Sequence, residues 1–133
     1  MTDHRSRDHL AIVVGALRLT SGVSFLVAPE AANRLWGDST PTDATTGLLL
    51  RSMGYRDALI GGVLAAHGWS GRPTAPWFLA SAGADAADLA GGLANHSRMS
   101  DAQRTKGLGG AVAGIGIGLL GATRARRQGK ATT

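Results

Sequence analysis

Residues 46–68 read TGLLLRSMGYRDALIGGVLAAHG. Within them Gly47, Arg51, Gly54, Ala58, Gly61, Ala65 and Gly68 follow one another at alternating steps of four and three. Positions three and four apart share a helix face, so the spacing predicts one long helix with a stripe of small residues, Arg51 in its register and Asp57 beside it. The back of that helix is Leu, Ile and Val. A water-soluble helix opposes polar residues to apolar ones, whereas this one opposes small to large. Helices packed in a bilayer have that pattern, because bulky side chains face lipid and small ones let backbones approach.

Three more stretches, 10–28, 75–94 and 107–122, have comparable length and character. The first, LAIVVGALRLTSGVSFLVA, is interrupted only by Arg18 and is stopped by Pro29 and Glu30. It repeats the small stripe in short form as Gly15, Arg18 and Gly22. In the third, Ser81, Asp85, Asp88, Gly92 and Asn95 fall on one face. The fourth, GLGGAVAGIGIGLLGA, has no charge and carries Gly110, Gly114 and Gly118 at four-residue steps, a packing motif of membrane helices. Crossing a hydrocarbon core takes ~20 apolar residues, and all four stretches lie near that length.

The chain has 133 residues, enough for one domain. It has no cysteine, which excludes a disulfide framework, a thiol nucleophile and a Cys-based zinc site. The mean hydropathy of +0.02 is that of a soluble protein and keeps a soluble Ala/Gly-rich helical domain as the competing reading. That average conceals a segregation, since only six charged residues lie inside the apolar stretches and the others crowd into tails and connections. A cleaved signal peptide at 10–28 is the other alternative, and both Arg18 and a length beyond the ~7–15 residues of a signal core speak against it.

These features predict an all-α fold, a four-helix transmembrane bundle running up-down-up-down. The division is a charged N-terminal tail (1–9), a single membrane domain (10–123) and a basic C-terminal tail (124–133), with both tails expected to lack structure. The first connection, 29–44, reads as a short amphipathic turn punctuated by Pro29, Gly37, Asp38 and Pro41, with Trp36 as an interfacial anchor. The second, 67–77, is short enough to make its flanking helices antiparallel neighbours. In the third, Ser100 before Asp101 marks a helix start. Arg5, Arg7, Arg72, Arg124, Arg126, Arg127 and Lys130 would share one side, against Arg34, Arg98, Arg104 and Lys106 on the other. That bias predicts a multi-pass protein of the cell membrane with both termini cytoplasmic.

The residues able to carry chemistry are the intramembrane charges Arg18, Arg51, Arg56, Asp57, Asp85 and Asp88. A charge at mid-bilayer costs at least ~2.5–3.5 kcal/mol, so such groups face inward and find partners. The expectation is a buried cluster in which three arginines balance three aspartates, Asp85 and Asp88 pairing with Arg18 and with Arg51 or Arg56. Gly54, Gly61, Gly110, Gly114 and Gly118 are the expected helix-packing positions. His67 and His96 have no spacing that builds a metal site, and no nucleophile elbow, phosphate loop or dinucleotide motif is present. No catalytic residue, metal or cofactor is expected, and the chain does not read as an enzyme. The basic C-terminus reads as a topology determinant, and without interleaved stacking aromatics no nucleic-acid partner is expected. The expected partners are the lipid bilayer and a homo-oligomer or larger membrane complex.

The phrases ALRLTSGVSFLVAPEAANRLWG, LLLRSMGYRDALIGG and ADAADL resemble an uncharacterised group of four-helix bacterial membrane proteins, similar in layout to the DoxX-like proteins. The likeness covers roughly residues 10–120, with R-x-x-G-x-R-D as its most specific phrase. It implies a four-helix integral membrane protein with Arg18, Arg51, Arg56, Asp57, Asp85 and Asp88 as signature positions, and it implies no activity. The function expected on these grounds is that of a structural or interaction subunit held by a buried Arg/Asp network. The alternative is a small proton- or ion-coupled carrier, or a ligand-binding membrane protein, that uses intramembrane Asp residues.

Overall fold

The structure is a computed structural model that describes residues 6–36 and 41–131. Arg5, Gly37 and Asp38 of the sequence reading lie outside the described residues. The protein is all-helical, with no strand among the described residues. Helix α1 is His9–Val27, α2 is Pro29–Leu35, α3 is Ala44–Trp69 and α4 is Ala75–Ala94. Helix α5 covers Asp101–Ala131 and includes a π-helical stretch at Arg104–Leu108.

The helix limits follow local rules. Asp8 and Asp43 cap α1 and α3 by accepting from the amides of Ala11 (3.2 Å) and Thr46 (2.7 Å). Ser100 opens α5 with a full capping box, its hydroxyl accepting from Gln103 N while the Gln103 side chain accepts from Ser100 N. Pro29 ends α1 and at once begins α2, where its missing N–H costs nothing. The 29–36 part of the first connection is therefore a two-turn helix rather than the expected turn. Between α3 and α4, Gly71 takes φ 64°, a left-handed conformation that only glycine adopts without strain.

The long helices form two antiparallel pairs. In the first pair α1 and α3 touch through their backbones. A methyl placed on Gly61 would lie 2.5 Å from Leu19 N and 2.6 Å from Gly15 O, and one on Gly54 would lie 2.7 Å from Gly22 O. In the second pair α4 and α5 meet where Gly118 and Gly121 lie against Ala82 and Phe78. These two contacts are the most extensive in the molecule. Gly54 and Gly61 thus face α1, Gly114 and Gly118 face α4, and Gly110 lies under the ring of Trp36.

Between the pairs the filling is made of side chains. Near the chain termini Ala11, Leu64, Phe78 and Ala122, one from each long helix, form the apolar core. Asp8 ties the same end together. Its N–H donates to Gly68 O (3.0 Å), and its carboxylate accepts from Thr74 Oγ1 (2.8 Å) and Arg124 (3.4 Å). Asp8 belongs to the segment expected to be an unstructured tail, and its side chain is only 12% exposed. The C-terminal expectation changes too, since α5 continues through Arg124, Arg126, Arg127 and Lys130 to Ala131.

Candidate functional site

Midway along the molecule, the space between the two pairs is occupied by charge. Arg18 sits near the centre of α1, and its neighbours Gly15 and Gly22 press against α3, so its side chain leaves the seam sideways toward α4. There its two terminal nitrogens donate to both oxygens of Asp85 at 2.9 and 3.0 Å. One also donates to Ser81 Oγ (2.9 Å) and the other to Asp57 Oδ1 (3.0 Å). Arg56, one residue before Asp57 on α3, donates to the same Oδ1 at 3.1 Å and to both oxygens of Asp88 at 2.9 and 2.7 Å.

The result is one connected chain, Asp85–Arg18–Asp57–Arg56–Asp88, in which signs alternate and each arginine forms a two-bond fork with an α4 carboxylate. Forks of this kind fix orientation as well as supply charge-assisted bonds. Burial is graded along it. The side chains of Arg18, Asp85 and Asp57 are 12%, 13% and 16% exposed, while Arg56 and Asp88 at the outer edge are 32% and 38% exposed. Helix α5 closes the inner end with bare backbone, since any side-chain carbon at Gly114 would collide with the Asp85 carboxylate. Arg18 Nε is buried without a hydrogen-bond partner.

Five of the six expected cluster residues come together. Arg51 does not. Its exposed side chain lines an open groove with Glu30, Arg34, Thr42, Asp43 and Gly47, and one of its terminal nitrogens points back along α3 to Gly47. The physical reason is rotational. Arg51 shares the stripe register with Gly47 and Gly54, and that stripe is the one pressed on α1, so a long side chain there can only escape past the helix end. The expected balance of three against three is therefore corrected to two arginines against three aspartates.

The polar stripe of the third apolar stretch, which is α4, divides as well. Ser81 and Asp85 point inward, Asp88 turns to α3, Gly92 lies against Leu108, and the Asn95 side chain donates to Gly91 O. His67 Nδ1 lies 2.9 Å from Pro73 O, with its ring edge-on to Trp77, and Arg7 stacks on Trp69 at 3.9 Å. Trp69 and Trp77 thus sit at the terminal end with polar partners. Among the described residues no group of three or more His, Asp or Glu is placed to hold a metal ion.

Sequence reasoning missed Asp8. An Asp immediately before an apolar run is a helix-cap signal that identifies Asp8 as a cap, although nothing local reveals its bonds to Thr74 and Arg124. Comparison with family models, with curated proteins and with solved structures finds no match to this chain.

Proposed function

We propose that this protein is a four-helix, multi-pass membrane protein, DoxX-like in layout, that acts as a structural or interaction subunit, not as an enzyme, and that its helices are locked in register by the Asp85–Arg18–Asp57–Arg56–Asp88 chain. The observation that carries the reading is the inversion of polarity. Charges form the inner layer, while Val13, Leu17, Leu48, Leu59, Leu119 and Leu120 are turned outward and exposed. Water would disfavour so much exposed apolar surface, and lipid accommodates it. Helices α1 and α5 are long and apolar enough to cross a bilayer, with mean hydropathies of 2.0 and 1.3 over windows that are 22% buried. Helices α3 and α4 do not reach that hydropathy. Their 26 and 20 residues give lengths of about 39 and about 30 Å, enough to span the ~30 Å of a hydrocarbon core, and their charges are turned largely into the network.

Under this reading Asp8, Thr74 and Arg124 mark the end nearer both termini, and the basic residues gathered there favour the cytoplasmic side. Membrane fractionation tests it, with detergent-dependent recovery as the expected result; recovery in the soluble fraction without detergent rejects the membrane assignment.

One observation favours a second reading, a small proton- or ion-coupled carrier: the network has one carboxylate more than its arginines neutralise. Flux in proteoliposomes across a pH gradient separates the two. The subunit reading expects none, and flux that disappears with Asp85→Asn would establish the carrier.

A further inference from the structure

The charged network is enclosed at one end and open at the other. Arg18 and Asp85 are 12% and 13% exposed, whereas Arg56 and Asp88 are 32% and 38% exposed. Arg56 stands at the middle of α3, and its fork on Asp88 holds both groups at that level. Helices α3 and α4 belong to different pairs and touch far less than the members of either pair, so the fork faces outward between them. At the middle of a bilayer, ionisable groups are turned toward protein or a watery cavity, not toward lipid tails.

Both groups have bonding capacity to spare. Among the described residues Arg56 uses three N–H groups in hydrogen bonds, one to Asp57 and two to Asp88, and a guanidinium carries about five. Asp88 accepts only from Arg56, once on each oxygen, and each oxygen can accept again. The surface therefore presents a positive group on the α3 side and a negative group beside it on the α4 side, at one depth. Such a pattern is complementary to itself. A half-turn about an axis along the membrane normal keeps a second copy in the same orientation in the bilayer and sets its Asp88 opposite the first copy's Arg56, and the reverse. Lipid tails offer neither charge, and headgroups lie far from the middle of α3. The approach is open, since Ala87 and Gly91 beside Asp88 are exposed and a side chain at Gly91 would meet nothing within 4 Å.

We propose that the α3–α4 face around Arg56 and Asp88 is a two-fold interface between two copies of this chain, with Asp88 of each copy accepting from Arg56 of the other. This rests on the membrane reading, because in water an ion pair exposed to this degree is solvated and calls for no cover.

The chain has no cysteine, so a single introduced thiol reports on one position. The test is oxidative cross-linking by copper phenanthroline in phosphatidylcholine vesicles at low protein density, after flotation has established that the chain enters them. A chain that does not float removes the membrane reading and the interface with it. For chains that float, Ala87→Cys or Gly91→Cys should give disulfide-linked dimers. Leu120→Cys should give none, because Leu120 is 73% exposed and lies on the side of α5 turned away from α4. Adding Asp88→Asn to the cross-linking variant should raise the protein density needed for the same dimer yield about tenfold. Floating chains in which neither Ala87→Cys nor Gly91→Cys cross-links above Leu120→Cys overturn the proposal while leaving the membrane reading intact. Dimers whose yield is indifferent to Asp88→Asn overturn it as well, since the ion pairs would then not hold the copies together.

Discussion

The seam between α1 and α3 and the layer between the two helix pairs solve the same problem by opposite means. In the seam the backbones themselves meet, Gly15 against Gly61 and Gly22 against Gly54, with no room for a methyl group. In the layer the backbones stand apart, and Arg18 and Arg56 reach across the gap to carboxylates on α4. Contact in the seam is dispersion between closely approached surfaces, and it fails when an atom is added. Contact in the layer is charge compensation, which fails when a group is taken away. Small residues therefore bring helices together as pairs, and ion pairs decide how one pair is rotated and shifted against the other.

The sharpest way to break this contrast is in the layer. Arg18→Leu strips the fork from Asp85 and one of two partners from Asp57. Loss of a buried partner costs ~3–5 kcal/mol, and detergent-extracted yield and thermal midpoint should fall accordingly. Adding Asp85→Leu to Arg18→Leu should recover most of the loss, because the remaining Asp57–Arg56–Asp88 chain carries the same excess of one carboxylate as before. A single variant as stable as wild type would show that the layer does not hold the pairs in register.

Next comes the seam. Gly61→Ala places a methyl against Leu19 N and Gly15 O, backbone atoms that cannot move aside, and should cost ~1–3 kcal/mol in thermal unfolding. Gly83→Ala on the outer face of α4 meets nothing within 4 Å and should raise stability by ~0.5–1 kcal/mol, the helix propensity that Ala adds over Gly. Equal effects at the two positions would remove the distinction between a packed stripe and an outward one.

Asp8 and Asp43 sharpen the comparison at smaller scale, as two helix caps of the same residue type. Asp8→Ala removes a cap together with the bonds to Thr74 and Arg124, and should cost about 2 kcal/mol. Asp43 caps α3 in solvent, and its carboxyl is held below the usual value, first by the Thr46 amide. A carboxyl depressed in the folded state contributes stability that is present above its unfolded value of 3.8 and is lost as the pH falls through the lower folded value. The difference in thermal midpoint between wild type and Asp43→Ala should therefore be small at neutral pH and vanish in acid. A difference that grows in acid would mean that the cap is not formed by the carboxylate.

The sequence by itself determined the helices and their faces. The limits of α4, the capping residue of α5, the stop at Pro29 and the small stripes on α1 and α3 are all local consequences of spacing and of residues that cap or break a helix. It also determined which charged residues lie inside apolar stretches, because that needs only the order of residues. Tertiary structure alone decided the rest. Spacing puts Arg51 in the glycine stripe and Arg56 outside it, yet only the packing decides that the stripe is the face pressed against α1, where Arg51 leaves past the helix end, and that the face of Arg56 meets Asp88. Asp8 looks like tail, and its bonds to Thr74 and Arg124 exist only because four helix ends converge there. The network's surplus of one carboxylate over its arginines follows from the same cause. Periodicity fixes the angle of each side chain about its own helix, whereas partner choice depends on how whole helices are turned toward one another, and that is settled by backbone contacts many residues away.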